Sequence, residues 1–303
     1  MRIAIIGLGR MGGNMARRLC RGGIEVVGQN RTPAVTDQLA REEGLIPAAT
    51  LADAVGLLSA PRVVWLMLPA GAVTEHALSE LIDLLEPGDL VVDGGNSNYH
   101  DSQQRAHILA EHSIEFMDAG TSGGIWGLDN GYCLMVGGSD KAAALLKPAL
   151  QVLAPSPEHG WAHVGPVGAG HFTKMIHNGI EYGMMQAIAE GVALMRGKPE
   201  FNIDVAQVTE LWRYSSVVRS WLLDLTAAAL AQDSALESIA PVVADSGEGR
   251  WTAIEAIDQG TAAPVITQAL AARFTSQGGS DFANRVLAMM RKGFGGHAVT
   301  TQN

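Results

Sequence analysis

A glycine-rich turn near the start of the chain constrains what its first half can fold into. Gly7, Gly9 and Gly12 form the pattern GxGxxG directly after the β-rich run 2–6 and at the start of a helical pattern. In this pattern the first glycine permits a tight turn, the second lets a pyrophosphate approach the backbone, and the third lets helix and strand pack closely. The helix then presents free N–H groups and the positive end of its dipole to that anion. The turn therefore predicts a dinucleotide-binding βαβ unit.

Strand and helix patterns alternate through the rest of the first half. Further strands are predicted at residues 25–29, 63–68, 90–93, 115–117 and 132–136. Helices are predicted between them at residues 12–21, 33–43, 74–85, 99–111 and 141–150. Repeated strand–helix alternation indicates a parallel sheet covered by helices on both faces, which is the doubly wound α/β class of Rossmann type.

The pattern changes after a segment rich in proline and glycine at residues 154–160, which is typical of a linker. Helices are predicted beyond it at residues 169–196, 204–215, 220–230, 246–259, 264–276 and 281–292. We therefore predict two domains. Residues 1–165 form a dinucleotide-binding domain, and residues 166–303 form an all-α helical domain for substrate binding and dimerisation.

Composition excludes several classes of protein. The chain has 303 residues and is 47% hydrophobic, which indicates a globular protein with a large core. No apolar run has the length of a membrane span, and the apolar start is too short for a signal peptide, so we expect a cytoplasmic protein. Cys20 and Cys133 are far apart, with neither a disulfide framework nor a zinc motif around them. The net charge of −10 argues against nucleic acid as a partner.

The tip of the second predicted strand selects between NAD and NADP. An acid at this position would bind the ribose 2′-hydroxyl of NAD. This chain has no acid there but Asn30, Arg31 and Thr32, and an arginine beside small polar groups suits a 2′-phosphate. We expect NADP or NAD as the cofactor, with NADP slightly favoured. The alternative interpretation of Arg31 is an exposed arginine at the end of a strand.

A polar stripe runs along the first helix of the second half. Lys174, His177, Asn178 and Glu181 are spaced i, i+3, i+4 and i+7, so they share one face, with Tyr182 at its edge. A lysine, an imidazole, an amide and a carboxylate on an otherwise apolar helix are typical of an acid–base site. The alternative is the solvated face of an amphipathic helix.

Several motifs together resemble those of the 6-phosphogluconate dehydrogenases, within the wider β-hydroxyacid dehydrogenase family. They lie at residues 7–14, 93–97, 121–124, 170–182, 249–252 and 272–276. The resemblance extends over essentially the whole chain. Most members of the family are much longer and carry a duplicated helical domain, so this chain resembles a short form. It implies oxidative decarboxylation of 6-phospho-D-gluconate to D-ribulose 5-phosphate and CO2 with reduction of NAD(P), in the pentose phosphate pathway or gluconate utilisation.

The resemblance also implies roles for individual residues. Lys174 would act as the general base and Glu181 as the general acid. The residues implied for the cofactor are Gly7, Gly9, Arg10, Met11, Gly12, Asn30, Arg31, Thr32 and Asn96. Those implied for the substrate are Asn96, Ser122, Gly123, Gly124, His177, Asn178, Tyr182, Arg250, Arg273, Arg291 and His297. No metal is implied. The long form tends to have lysine where Arg250 stands, which keeps the charge but not its geometry.

The end of the chain carries the last two of these residues. In the family, a tail segment reaches into the partner subunit's site with an arginine and a histidine six residues apart, and Arg291 and His297 reproduce that spacing. Glycines on both sides of Phe294 predict an extended hook rather than a helix. The tail implies a homodimer or a higher homo-oligomer. The alternative is a frayed, basic C-terminus.

Two other functions compete with this one. The first is a non-decarboxylating β-hydroxyacid dehydrogenase that acts on a small unphosphorylated acid such as 3-hydroxyisobutyrate. It would need neither a phosphate cluster nor an acid at Glu181, so Arg250, Arg273 and Glu181 argue against it. The second is a cofactor-binding protein with an inactive site, which the pairing of Lys174 with Glu181 disfavours.

Overall fold

The structure is a computed structural model of the chain, and it describes residues 1–295 and 298–300. The chain divides into two compact units, Met1–Met175 and Ile176–Asn303. The predicted domain boundary between residues 165 and 166 stays a prediction. Within the described part of the chain, no helix combines the length and the apolar character that a membrane span needs.

The first unit contains an eight-stranded sheet. Its strands are β1 Arg2–Ile6, β2 Glu25–Gln29, β3 Ile46–Ala48, β4 Val63–Leu66, β5 Leu90–Asp93, β6 Glu115–Ser122, β7 Cys133–Gly138 and β8 Trp161–Gly165. Their order across the sheet is β3-β2-β1-β4-β5-β6-β7-β8. Neighbouring strands are parallel except β6 and β7, which pair antiparallel from Met117 opposite Gly138 to Ser122 opposite Cys133.

Helices cover both faces of this sheet. They are α1 Arg10–Arg21, α2 Pro33–Glu43, α3 Leu51–Gly56, α4 Ala72–Leu84, α5 Tyr99–Glu111, α6 Gly127–Asn130 and α7 Asp140–Leu153, followed by the start of α8 Ala169–Arg196. Successive residues of β1 point to opposite faces. Ile3 and Ile5 pack in the core that α1 and α7 cover, whereas Ala4 and Ile6 pack in the core that α3, α4 and α5 cover. The predicted doubly wound α/β fold is therefore confirmed.

Three local expectations were wrong or incomplete. The sheet is not purely parallel, because β6 and β7 form an antiparallel pair. The short elements β3, α3 and β8 were not predicted, since three to six residues carry little periodic signal. The segment at residues 154–160, interpreted as a linker, leads into β8, which pairs with β7 of the same sheet.

The second unit is all-α, as predicted. After α8 it contains a 3₁₀ turn at Pro199–Phe201 and the helices α9 Val205–Trp212, α10 Trp221–Gln232, α11 Glu248–Asp258, α12 Pro264–Ser276 and α13 Asp281–Gly295. The extended hook predicted around Phe294 is wrong as far as Gly295, because α13 continues through Gly293 to that residue. A glycine costs a helix only about 1 kcal/mol relative to alanine, so a helix already formed can extend through it. His297 lies outside the described residues.

Candidate active site

The glycine-rich turn has two glycines that the fold requires and one that it leaves open. Gly7 has φ +93°, and a Cβ at this residue would lie 2.5 Å from the carbonyl oxygen of Met67. A Cβ on Gly12 would lie 2.1 Å from the carbonyl oxygen of Gly7. A Cβ on Gly9 would meet nothing within 4 Å. The protein therefore has no steric need for glycine at residue 9, and the open space there fits a pyrophosphate that approaches the backbone.

The same turn opens the helix that faces this space. Gly9 is the N-cap of α1 and offers no side chain to cap it. The first N–H groups of α1 are thus available to an anion, at the positive end of the helix dipole. Arg10 is exposed and Met11 is half-buried at the start of the helix. The residues present fit a dinucleotide.

The tip of β2 is tied to the glycine-rich turn through Asn30. Its side-chain oxygen accepts a hydrogen bond from the backbone N–H of Leu8 at 3.0 Å. Its side-chain nitrogen donates to the carbonyl of Thr32 at 3.2 Å. The amide therefore holds the glycine-rich turn and the tip of β2 together, which an acid at the same position could do only as an acceptor. Arg31, which lies between Asn30 and Thr32 in the chain, is exposed.

The loop after β5 exposes Asn96 between two buried anchors. Asp93 and Ser97 are buried, and Asn96 is exposed. Asp93 accepts hydrogen bonds from the N–H of Gly95 at 3.0 Å and from the hydroxyl of Ser97 at 2.7 Å. The backbone is also closely packed, since a Cβ on Gly94 would lie 2.2 Å from Nε1 of Trp65. The loop is thereby fixed with the Asn96 side chain directed away from the core.

A buried arginine completes this anchor, and it was not predicted as a site residue. Arg105 on α5 is 2% exposed and donates from Nη1 to Asp93 at 2.7 Å and to Ser97 at 2.8 Å. Its Nε and Nη2 reach Glu75 on α4 at 2.8 and 2.6 Å. Its burial could have been predicted from the sequence, because Arg105 is three residues after Ser102 and so shares the inward face of α5 with it.

The loop after β6 turns through two glycines. Gly123 and Gly124 have φ values of +126° and +53°, which favour glycine at both positions. They follow Ser122, the last residue of β6, which is half-buried. The backbone thus changes direction at residues that the family resemblance implies for the substrate.

The start of α8 is fixed on β6 by a buried carboxylate. Asp118 accepts hydrogen bonds from the N–H groups of Gly168 at 2.7 Å and of His171 at 2.6 Å. Burial raises the pKa of Asp118, although His171 and these N–H groups oppose the increase. The His171 ring is hydrogen bonded through Nδ1 to the hydroxyl of Ser102 at 2.7 Å. Asp118, His171 and Ser102 were not predicted as site residues. They are too far apart in the sequence to form a local pattern.

Lys174 is held against the sheet by close backbone packing. A Cβ on Gly120 of β6 would lie 2.4 Å from the Cβ of Lys174. Only a glycine on β6 therefore lets α8 approach this closely at the lysine. The predicted base consequently lies where α8 packs closely on β6.

The rest of the polar stripe follows on α8, which is one continuous helix from Ala169 to Arg196. His177 Nδ1 lies 3.1 Å from the side-chain oxygen of Asn178 and 3.8 Å from the carboxylate of Glu181. The side chains of His177 and Glu181 are each 38% exposed. His177 and Glu181 are therefore partly accessible, and His177 contacts both Asn178 and Glu181.

A second cluster surrounds Tyr182. The guanidinium of Arg273 stacks on the Tyr182 ring at 3.5 Å from its centroid and donates to the carbonyl of Ala244 at 2.6 Å. The Tyr182 hydroxyl lies 3.0 Å from that of Ser246 and donates to Asp245 at 3.4 Å. Arg250 donates from Nε to the same carboxylate. The structure thus brings together Tyr182, Arg250 and Arg273, the residues implied for the substrate phosphate, and adds Asp245 and Ser246.

Two further expectations concern the end of the chain and a metal ion. Arg291 lies on α13 with an exposed side chain, and nothing within the described residues tests its role. No group of three or more histidine, cysteine or acidic residues in the described part of the chain could hold a metal ion.

Comparison with known proteins decides the family. A model described as the NAD-binding domain of 6-phosphogluconate dehydrogenase matches residues 2–165, and one for its C-terminal domain matches residues 170–293. The chain belongs to the 6-phosphogluconate dehydrogenase family. The resemblance inferred from the motifs is therefore confirmed.

Individual relatives agree with this family. YqeC of Bacillus subtilis is 41% identical over 99% of both chains. A Haloferax volcanii protein named as an NAD(+)-dependent, decarboxylating 6-phosphogluconate dehydrogenase is 38% identical over 100% of both chains. The Plasmodium falciparum 6-phosphogluconate dehydrogenase structure has a TM-score of 0.85 and 29% identity, over 100% of this chain and 66% of that one. The 3-hydroxyisobutyrate dehydrogenase of Mycobacterium tuberculosis shares the fold, with a TM-score of 0.72 and 21% identity over 92% of this chain and 94% of that one.

Proposed function

We propose that this protein oxidises 6-phospho-D-gluconate and decarboxylates the product to D-ribulose 5-phosphate and CO2. The observation that carries the proposal is the cluster around Tyr182. A phosphorylated sugar acid needs cations for its phosphate, and Arg250 and Arg273 are grouped around this one tyrosine. The polar stripe of α8, with a base and an acid two turns apart, supplies the groups that the chemistry needs.

The chemistry follows from the acid–base groups. When bound, the dinucleotide supplies the hydride acceptor for C3 of the substrate. Lys174 takes the proton from the C3 hydroxyl, and the 3-keto acid that results loses CO2 readily, because the enediol delocalises the charge. Lys174, now protonated, stabilises the developing oxyanion. Glu181 then gives a proton to C1 of the enediol, the carbon that was C2 of the substrate. Asn96, Ser122, Gly123, Gly124, His177 and Asn178 hold the carboxylate and hydroxyls.

We further propose that NADP is preferred over NAD. The tip of β2 has no acid to bind a ribose 2′-hydroxyl, since Asn30 stands there and is engaged with Leu8 and Thr32. Arg31 is exposed, and a guanidinium is suited to bind a 2′-phosphate. The argument for a preference for NAD is that the Haloferax volcanii relative is named as NAD(+)-dependent.

The active form, in this proposal, is a homodimer in which Arg291 and His297 complete the partner's site. Apolar side chains line a groove between α8 and α10, among them Met185, Val192 and Leu225. Such surfaces are typical of subunit interfaces. Mixing Lys174→Ala and Arg291→Ala chains should then restore activity, because one site in each heterodimer is intact. A fully active monomer would contradict the shared site.

Turnover and CO2 release test the reaction together. The purified protein should reduce NADP or NAD only with 6-phosphogluconate and release CO2. Lys174→Ala should lower kcat by about 10²–10⁴, the usual contribution of general-base catalysis. Glu181→Gln should lower kcat by impairing proton delivery to C1 of the enediol. Reduction without CO2 would indicate the non-decarboxylating alternative. Cofactor binding without turnover on any sugar acid would indicate an inactive site.

A further inference from the structure

We propose that Asp245 positions Arg250 so that the terminal nitrogens of its guanidinium face the substrate phosphate. Asp245 is also, in this proposal, the reason why residue 250 must be arginine rather than lysine. The inference rests on the proposed function, because the phosphate of the sugar acid is the group that Arg250 would bind. It assigns a specificity role to a carboxylate that no motif singled out.

The two side chains of this pair differ sharply in exposure. The side chain of Asp245 is 2% exposed, whereas that of Arg250 is 55% exposed. The contact uses the inner edge of the guanidinium, since Nε donates to Oδ2 of the carboxylate. Nη1 and Nη2 lie at the other end of the planar group and can bind a phosphate in a bidentate manner.

A second contact fixes the plane of the guanidinium. The ring of Phe274 lies beneath it, with the guanidinium carbon of Arg250 at 4.9 Å from the ring centroid. An aromatic face below and a carboxylate along one edge leave the remaining edge and the upper face for a ligand. Arg250 is thus oriented by two neighbours before a phosphate arrives.

The carboxylate is itself firmly held. Its Oδ1 accepts hydrogen bonds from the N–H of Gly247 at 3.0 Å and from the hydroxyl of Tyr182 at 3.4 Å. Gly247 has φ +103°, which a residue with a side chain rarely adopts, so the turn that presents this N–H depends on glycine. Burial opposes ionisation, but the Gly247 N–H and Arg250 hold the pKa of Asp245 below its ordinary value. The residue is therefore a carboxylate at neutral pH.

This geometry separates arginine from lysine at residue 250. Arginine has enough donors in a rigid fork to bind Asp245 through Nε and a phosphate through its other nitrogens. Lysine has a single nitrogen that acts as a point charge. Beside Asp245, a lysine ammonium would pair with the carboxylate, and the phosphate would lose much of its cation. The presence of Asp245 thus explains why the phosphate needs arginine, rather than lysine, at residue 250.

The amide Asp245→Asn isolates this effect. The asparagine oxygen can keep the hydrogen bonds from Gly247 and Tyr182, so the turn is retained. The asparagine nitrogen would replace Oδ2, and it is a donor facing the Nε–H donor of Arg250, so the arginine loses its orientation. A lysine at residue 250 would no longer be sequestered, because an amide carries no charge.

The test is a double-mutant cycle of Asp245→Asn and Arg250→Lys. For each protein, kcat and KM are measured with 6-phosphogluconate, and the Kd values of 6-phosphogluconate and inorganic phosphate are measured by calorimetry. With Asp245 present, Arg250→Lys should raise KM and both Kd values about ten- to hundred-fold, the range for hydrogen bonds to a charged group. With asparagine at 245, the same change should raise them less than about three-fold, since the lysine is then free for the phosphate. Cofactor Kd should stay unchanged in all four proteins.

Arg273 provides the matched control. It belongs to the same cluster but is held by the Ala244 carbonyl and the Tyr182 ring rather than by Asp245. Arg273→Lys should therefore raise KM by the same factor in both backgrounds. If the effect of Arg273→Lys also depended on residue 245, Asp245→Asn would be disturbing the whole cluster. That result would overturn the specific role of Asp245 in orienting Arg250.

The remaining outcomes separate this inference from the proposed function. Equal effects of Arg250→Lys in both backgrounds overturn the inference while leaving the reaction intact. A wild-type protein that binds 6-phosphogluconate without oxidising it contradicts only the proposed reaction. The Kd values of the double-mutant cycle then still test the role of Asp245. A protein that binds neither 6-phosphogluconate nor phosphate overturns both. Asp245→Ala supplies a second uncharged background, and circular dichroism checks the fold of each variant.

Discussion

Replacing Arg105 by methionine should destabilise the first unit by several kcal/mol. The decisive contact is the ion pair with Asp93, because the two side chains are only 2% and 1% exposed and their closest atoms are 2.7 Å apart. Without the guanidinium, the carboxylate stays buried, and within the described part of the chain it keeps the hydrogen bonds from the Gly95 N–H and the Ser97 hydroxyl. Removing one partner of a buried pair costs about 3–5 kcal/mol, because the other charge is left uncompensated.

The pair with Glu75 provides an internal control. The Glu75 side chain is 52% exposed, and an exposed ion pair contributes only about 0–1 kcal/mol. Glu75→Gln should therefore lower the free energy of unfolding by less than about 1 kcal/mol. Asp93→Asn combined with Arg105→Met should recover part of the loss, because the asparagine oxygen still accepts from Gly95 and no charge remains buried.

Urea unfolding followed by far-ultraviolet circular dichroism measures these differences. For Arg105→Met, a unit of this size should also show a decrease in Tm of about 6–20 °C. The loop that exposes Asn96 depends on the same pair, so kcat/KM should fall even under conditions where the variant is fully folded. A free energy of unfolding within about 1 kcal/mol of the wild type, or an equal loss in Glu75→Gln, would refute the assignment.

Three further predictions concern the cofactor turn, the cofactor preference and pH. Gly9→Ala should leave Tm unchanged but weaken dinucleotide binding in calorimetry. Gly12→Ala should lower both Tm and binding, since residue 12, unlike residue 9, lacks room for a Cβ in the protein itself; equal Tm values would contradict this. Arg31→Ala should cost about 1.5–3 kcal/mol of NADP binding and much less with NAD; equal losses would mean that Arg31 does not contact the 2′-phosphate. Burial raises the pKa of Tyr132 to about 12, so its contribution to stability is present below about pH 10, the unfolded value, and is lost as the pH rises through the folded value. Tyr132→Phe should remove that part of the alkaline loss in urea unfolding, and an unchanged pH profile would count against it.

The sequence alone determined the features that depend on neighbours along the chain. The helices α2 and α8 have the predicted bounds, because the residues that start or end them are local: Pro33 and Gly44 flank the ends of α2, and Arg196 lies in the last turn of α8. The roles of Gly7 and Gly12 were also predictable, since the turn they form is built from consecutive residues. The same holds for the stripe on α8, which follows from helical spacing.

Only the tertiary structure decided which distant residues meet. Asp245 and Tyr182 are 63 residues apart in the chain, and Asp118 accepts from His171 across 53 residues. The antiparallel pairing of β6 with β7 and the end of α13 at Gly295 likewise depended on more than local pattern. The sequence pattern of a segment predicts its secondary structure, but it does not predict which buried charged group will pack against it. That choice is made when the elements pack, because a buried carboxylate must then find donors wherever the fold brings them.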